Sequence, residues 1–137
     1  MAERMKAAVP VLACADLEVM MSFYVERLGF EKRWAWKDPE RPERPSTDGG
    51  VGCGDAQVFF MTDPVMADQA GGREVMIFTS DVDAQYAEHL KRGAPVSGAP
   101  VDEPWGLREY SVIDPVGNRL RFAEGVEYAH ARRAADE

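Results

Sequence analysis

The sequence predicts an α+β fold: two β-α-β-β-β modules forming a curled mixed sheet around a groove. Three observations lead there. Strand and helix signals run strand, helix, strand, strand, strand, and the order then repeats. The two helices begin alike, with Asp16-Leu17-Glu18 and Asp81-Val82-Asp83, 65 residues apart (81 − 16), and end alike at Gly29 and Gly93. The second half closes on Asp114-Pro115-Val116-Gly117-Asn118, a turn between two strands of period two. Module one covers about residues 7–62, module two about 73–124 and a polar tail 125–137, all within one domain of 137 residues.

The elements follow in order. Ala7 to Cys14 is a short apolar run and reads as a strand; Pro10 inside it, lacking an N–H, places it at a sheet edge. Asp16 is the N-cap of a helix whose apolar stripe is Leu17, Met20, Met21, Tyr24, Val25 and Leu28, and Gly29 stops it. Phe30 to Trp36 alternates as a strand, with Phe30, Lys32, Trp34 and Trp36 on one side. Lys37 to Gly50, with three prolines and many charges, reads as a surface loop. Strands resume at Val51 to Cys53 and Ala56 to Met61, and a second loop runs from Thr62 to Arg73 through Pro64 and Gly71-Gly72.

Glu74 to Thr79 opens the second module. Ser80 or Asp81 caps a helix with Val82, Tyr86 and Leu90 on its apolar face, ended by Gly93. Ala94 to Pro100 is irregular or a short strand. The hairpin then follows: Asp114 accepts backbone N–H groups, Pro115 presets φ and Gly117 can take φ > 0. Its second strand has Leu120 and Phe122 on the core side and Arg119, Arg121 and Ala123 on the other. The tail after Gly125 is a loose helix or disordered.

Composition limits the partners. With 24 acidic against 16 basic residues the net charge is −8, which argues against nucleic acid and against anionic membranes. The balance suits a cationic ligand, although an acidic surface also serves solubility alone. Met1 to Lys6 lacks an apolar signal segment, and no run nears the roughly 18 apolar residues of a membrane helix. Cys14 and Cys53, in no metal spacing, read as reduced thiols of a cytoplasmic protein.

Asp16-Leu17-Glu18, Phe23-Tyr24, Leu28-Gly29-Phe30 and Asp114-Pro115-Val116-Gly117-Asn118, in this order, resemble the vicinal oxygen chelate superfamily of glyoxalase I, extradiol dioxygenases, fosfomycin-modifying enzymes and bleomycin resistance proteins. Pro104-Trp105-Gly106 followed by Arg108-Glu109 resembles the bleomycin resistance branch, where this segment sits beside the ligand groove. The resemblance spans roughly residues 7–124. It implies paired β-α-β-β-β modules and a homodimer with two sites between chains.

The resemblance also implies where a metal would sit. The enzymes of the superfamily use a His on the first strand, a His on the first strand of the second module and a Glu just after the hairpin turn. Here those positions fall on Val9, on Glu74 or, with a slip, Ser80, and on Arg121. Valine cannot ligate and a guanidinium repels a cation, so no metal and no other cofactor are expected, with Glu74 the one weak candidate ligand. His89 and His130 read as plain helix or surface residues. Asp55, Glu74 and Glu109 leave an all-oxygen site conceivable, but scattered carboxylates are usually just solvated.

A groove without metal still has aromatic side chains. Trp34 and Trp36 share a strand face, Trp105 lies in the resistance-like segment, and Phe59 and Phe60 point to opposite faces, so one joins them. Flat rings with a few charges suit a planar, amphipathic cation. The ligand set is therefore Trp34, Trp36, Phe60, Trp105, Glu109 and Arg121; for Trp34 and Trp36, core or dimer interface is the competing reading. The expected function is metal-free sequestration of a hydrophobic or cationic small molecule, such as a bleomycin-like antibiotic, in a dimer groove. The alternatives are a superfamily lyase or dioxygenase with an atypical metal set, and a scaffold dimer without a ligand.

Overall fold

In the computed structural model, residues 3–69 and 72–136 are described, so Gly71 of the second loop and Met1 of the N-terminal segment lie outside the description. The first half contains β1 (Val11–Cys14), α1 (Leu17–Leu28), β2 (Glu31–Trp36), β3 (Asp48–Cys53), β4 (Ala56–Thr62) and α2 (Pro64–Gln69). The second contains β5 (Glu74–Phe78), α3 (Val82–Lys91), β6 (Val101–Asp102), β7 (Leu107–Ile113), β8 (Arg119–Gly125) and α4 (Val126–Ala135). The strands form two four-stranded mixed sheets, ordered β1-β4-β3-β2 and β5-β8-β7-β6. In each, the opening strand runs parallel to the closing one, and the other pairs are antiparallel. The repeat expected from the sequence is present, with the short strand of the second module at Val101–Asp102, just after the irregular segment 94–100.

Local chemistry explains the helices. Asp16 accepts the Val19 N–H at 3.1 Å and Asp81 accepts the Ala84 N–H at 2.9 Å, each closing a first turn. Gly29, at φ 81°, turns the chain left-handed at the end of α1, where a side chain would be strained. Leu17, Met20, Met21, Tyr24 and Leu28 are buried as one stripe against β3 and β4. Both modules contribute to one apolar cluster: Tyr24 meets Phe60 edge-on at 4.9 Å, and Tyr110 stacks on Phe122 at 5.5 Å.

Five expectations need correction. The first strand begins at Val11; Pro10 precedes it and pairs through its carbonyl alone, accepting the Phe59 N–H at 2.9 Å. The charged loop ends before Asp48, because Asp48–Gly50 pair with both β2 and β4. The second loop holds the short helix α2, whose first turn is tied by Asp63 accepting the Met66 N–H at 3.0 Å. A bulge between Lys32 and Trp34 breaks the alternation of β2: Lys32 pairs with core-facing Val51 and Trp34 with Gly50, so the two lie on opposite sides. On α3, His89 rather than Leu90 completes the buried stripe begun by Val82; His89 is fully buried and Leu90 is 53% exposed.

The tail forms α4, anchored by Arg132. Its guanidinium reaches Asp81, Asp83 and Glu124 at 3.0, 3.1 and 3.0 Å. Hydrogen bonds from Arg108 and Arg132 hold the Asp83 carboxyl below its usual range. Among the described residues, no helix is long and apolar enough to cross a membrane.

Candidate functional site

The helices cover one face of each sheet and leave the other free. In the first sheet, register assigns the sides. Gly49, Val51, Val58 and Phe60 face α1, while Gly50, Phe59 and Met61 face away. Trp34 pairs with Gly50 and Trp36 with Asp48, so both indoles stand on the free face. Trp34 meets Phe59 edge-on, with centroids 5.0 Å apart. Gly50 makes that possible: a Cβ there would collide with Trp34 Nε1. Trp36 remains half exposed.

Phe60 is therefore a correction. It was expected among the ligand-binding aromatics, but it is 1% exposed, packed on Tyr24 beneath the sheet. The parity of β4 decides this, because Val58 and Phe60 share the core side. Phe59 takes the free face; strand alternation separates the two rings, and the pairing of β4 with β3 decides which of them faces α1. Val11 extends the same apolar face, opposite Phe59 in register.

On the second sheet, Trp105, Glu109, Arg121 and Glu74 form one connected group on the free face. The turn Glu103–Gly106 presents Trp105; its Gly106 N–H bonds Glu103 O at 3.0 Å, and Gly106 has φ 92°. Trp105 Nε1–H donates to Glu109 Oε2 at 3.0 Å. Arg121 donates to the other oxygen, Oε1, from Nε at 2.8 Å and from Nη2 at 2.7 Å. The Arg121 guanidinium carbon lies 5.9 Å from the centroid of the Trp105 ring. Glu109 is buried, whereas Trp105 is 60% exposed. Met76 and Phe78 complete this face, exposed on β5; the unbroken apolar run Val75–Phe78 hides that alternation from sequence reading.

The two groups stand on separate sheets. Trp34, Trp36 and Phe59 are gathered on the first, and Trp105, Glu109, Arg121 and Glu74 on the second. Among the described residues, no hydrogen bond, ion pair or ring contact joins one group to the other.

The residues at the superfamily's ligand positions do not fit a divalent metal. Arg121 lies 3.7 Å from Glu74 Oε2, and Arg119 binds Glu74 Oε1 at 2.9 Å, so the one carboxylate of the set is held between two guanidiniums. Val9 has no donor side chain. Among the described residues, no three His, Cys, Asp or Glu side chains are grouped to hold a metal ion.

The histidines are occupied elsewhere. His130 bonds Asp102 at 2.7 Å on the surface. His89, expected as a plain helix or surface residue, is a core residue: Nδ1 lies 2.7 Å from Tyr110 Oη and Nε2 3.0 Å from Leu28 O. Burial lowers its pKa below the usual 6.5. Burial also pushes the Cys14 thiol up, away from nucleophilic use.

A cavity of about 680 Å³ lies on the helix side of the first sheet, between α1 and β2, lined by Glu18, Met21, Val25, Lys32 and Ala35. It contains none of the expected ligand residues.

Over residues 6–122 the chain matches the model of the family described as Glyoxalase/Bleomycin resistance protein/Dioxygenase superfamily. No curated protein matches it. Among solved structures, the bleomycin-binding protein of Streptomyces verticillus, in complex with copper(II)-bleomycin, is 27% identical. It superposes with a TM-score of 0.69 over 90% of this chain and 99% of that one. A bleomycin resistance determinant encoded on the transposon Tn5 is 23% identical, with a TM-score of 0.70 over 89% and 99% of the two chains. A glyoxalase-related enzyme of Clostridium phytofermentans is 20% identical, with a TM-score of 0.72 over 90% and 98%. The last two likenesses are of fold alone.

Proposed function

We propose, because the chain belongs to the Glyoxalase/Bleomycin resistance protein/Dioxygenase superfamily, that it binds and sequesters a small molecule without a metal and without transforming it. The ligand class is a planar hydrophobic or cationic compound, and an antibiotic of the bleomycin type is the first member to test. One observation carries the reading. Where the superfamily's enzymes place a ligating carboxylate, this chain has Arg121, bonded to Glu109 and lying beside an exposed Trp105. A guanidinium next to an exposed indole face suits stacking and repels a cation of the metal type.

The site is proposed to form in a homodimer, with the Trp34–Trp36–Phe59 face of one protomer opposite the Trp105 face of its partner. Exposed Val11, Trp34 and Trp36 on one sheet and Met76, Phe78 and Trp105 on the other supply apolar surface for such an arrangement. The protein would act in the cytoplasm, where Cys14 and Cys53 stay reduced. Titration calorimetry tests the reading. Bleomycin or the planar cation 9-aminoacridine should give saturable heat at one equivalent per chain, unchanged by a metal chelator when the acridine is the ligand. No heat with either compound removes the sequestration reading and leaves the fold untouched.

A further inference from the structure

The geometry assigns Glu109 the role of a positioning and charge-setting residue, holding the Trp105 indole in place while cancelling the charge of Arg121, so that the second sheet offers a ligand a neutral aromatic shelf. This rests on the binding reading above and deepens it. The cationic part of a ligand is then met by the first sheet, and the ring system by the second.

The argument starts from the oxygens of Glu109. One takes the indole N–H of Trp105 at 3.0 Å, and the other takes two N–H groups of Arg121 at 2.8 and 2.7 Å. The carboxylate is buried, with 6% of its side chain exposed, so these bonds are its environment rather than a surface contact. Trp105, by contrast, is 60% exposed and its turn is closed by the backbone bonds Gly106 N–H to Glu103 O and Glu103 N–H to Leu107 O, so the side-chain tether to Glu109 is what fixes the indole's direction.

The charges on this face also balance. Glu74 and Glu109 are the carboxylates, and Arg119 and Arg121 the guanidiniums. The net charge of −8 therefore does not act through this face. The free face of the first sheet differs: Asp48 pairs with Trp36 in register, its Oδ1 accepts the Thr47 hydroxyl at 2.7 Å, and among the described residues no salt bridge engages its carboxylate. A cation placed there meets two indoles and a carboxylate that no guanidinium or ammonium among the described residues neutralises.

Two measurements test the assignment. The first needs no ligand. In a Trp34→Phe/Trp36→Phe background, Trp105 is the only tryptophan, and its time-resolved anisotropy reports indole motion. Glu109→Ala should add a fast depolarising component that is absent from the parent. An indole equally rigid in both overturns the positioning role.

The second uses full-length protein and two planar probes of opposite charge, 9-aminoacridine and anthracene-9-carboxylate. Glu109→Gln, nearly isosteric, should shift the affinity ratio about tenfold toward the anion, as expected for one unit charge at contact distance. Arg121→Gln should shift it by a similar factor toward the cation. The double variant should return within about threefold of the parent, since charge is restored although both native groups are gone. A merely structural role would weaken both probes together and would not be rescued in the double variant; that outcome overturns the proposal. If neither probe binds the parent, the sequestration reading fails, and the anisotropy result still decides whether Glu109 holds Trp105.

Discussion

The Tyr24 hydroxyl donates a 2.8 Å hydrogen bond to Asp114 Oδ2, joining the middle of α1 to the β7–β8 hairpin across 90 residues. The same carboxylate organises the turn. Its Oδ1 accepts the N–H groups of Val116, Gly117 and Asn118 at 3.0, 3.0 and 2.9 Å, and Oδ2 also accepts Asn118 Nδ2–H at 2.9 Å. Both residues are buried, so the bond is shielded from water. Tyr24→Phe should lower stability by about 1.5–3 kcal/mol, the range for a bond to a charged acceptor. Asp114→Ala should cost more, because it also orphans the turn's backbone donors. Guanidinium melts measure both, and a Tyr24→Phe midpoint equal to that of the parent removes this bond as a link between modules.

His89 holds the equivalent place on α3. It follows its cap Asp81 by the eight positions (89 − 81) that separate Tyr24 from Asp16 (24 − 16). It reaches from the second module to Leu28 O at the end of α1. Gln85 and Tyr110 touch the ring, and Glu88 and Arg92 act on it through charge. Burial, the largest effect, favours the neutral ring, so the folded pKa lies below the unfolded value near 6.5. The unfolded chain then binds the proton first. The contribution to stability is complete above about pH 6.5 and is lost as pH falls from there toward the folded pKa. Stability should therefore decline between pH 7 and 5, by at most about 1.4 kcal/mol per pH unit. His89→Gln should flatten that slope while lowering stability at pH 7; an unchanged slope would assign the decline to other groups.

The sequence was most legible where one physical rule acted alone. Asp16, the stripe from Leu17 to Leu28, and Gly29 specify α1 completely, and Asp114 to Asn118 specify the hairpin. Reading failed where tertiary context chose between local options. The bulge in β2 leaves no mark in Glu31–Trp36, yet it puts Lys32 and Trp34 on opposite sides. Strand parity separated Phe59 from Phe60, but which of the two faced the helix depended on the pairing of β4 with β3. His89 lies on the helix of the second module as the sequence predicts, but its burial depends on Tyr110 and Leu28, which are distant in sequence. At the candidate site, Trp34, Trp36, Trp105, Glu109 and Arg121 were all named, but the bond from Trp105 to Glu109 follows from the turn that carries the tryptophan.

The two adjacent phenylalanines should separate in stability. Phe60 is 1% exposed and packed on Tyr24, so Phe60→Ala should cost about 3–5 kcal/mol. Phe59 lies on the free face against Trp34, and Phe59→Ala should cost about 0.5–1.5 kcal/mol, the scale of an aromatic pair. It should also shift the Trp34 emission to longer wavelength. Equal losses would place both rings in the core.

The proposed homodimer has a direct measurement. Sedimentation equilibrium at micromolar concentration should give about twice the chain mass of 15.2 kDa. Phe78→Glu places a charge on an apolar residue that is 67% exposed, and it should shift the protein toward monomer without lowering the monomer's own stability. A protein that sediments as a monomer at that concentration removes the site shared between protomers.

Trp105 and Phe122 test the division between binding and folding. Both lie in the second module, but Phe122 is 3% exposed, stacked on Tyr110 and beside His89, while Trp105 is 60% exposed at the tip of the β6–β7 turn. Phe122→Ala opens a cavity beside the Tyr110 and His89 rings and should lower stability by about 3–5 kcal/mol. Trp105→Ala removes one indole bond and little buried area, so folding should lose no more than about 1 kcal/mol. Its effect belongs to binding: losing the stacking surface should weaken the affinity for bleomycin or 9-aminoacridine by roughly 5- to 150-fold, equivalent to about 1–3 kcal/mol. Denaturant melts and calorimetry on both variants separate the effects. If Trp105→Ala unfolds as readily as Phe122→Ala, the indole is a structural residue. If it melts like the parent and binds like the parent, the ligand lies elsewhere, and the 680 Å³ groove between α1 and β2 becomes the surface to probe.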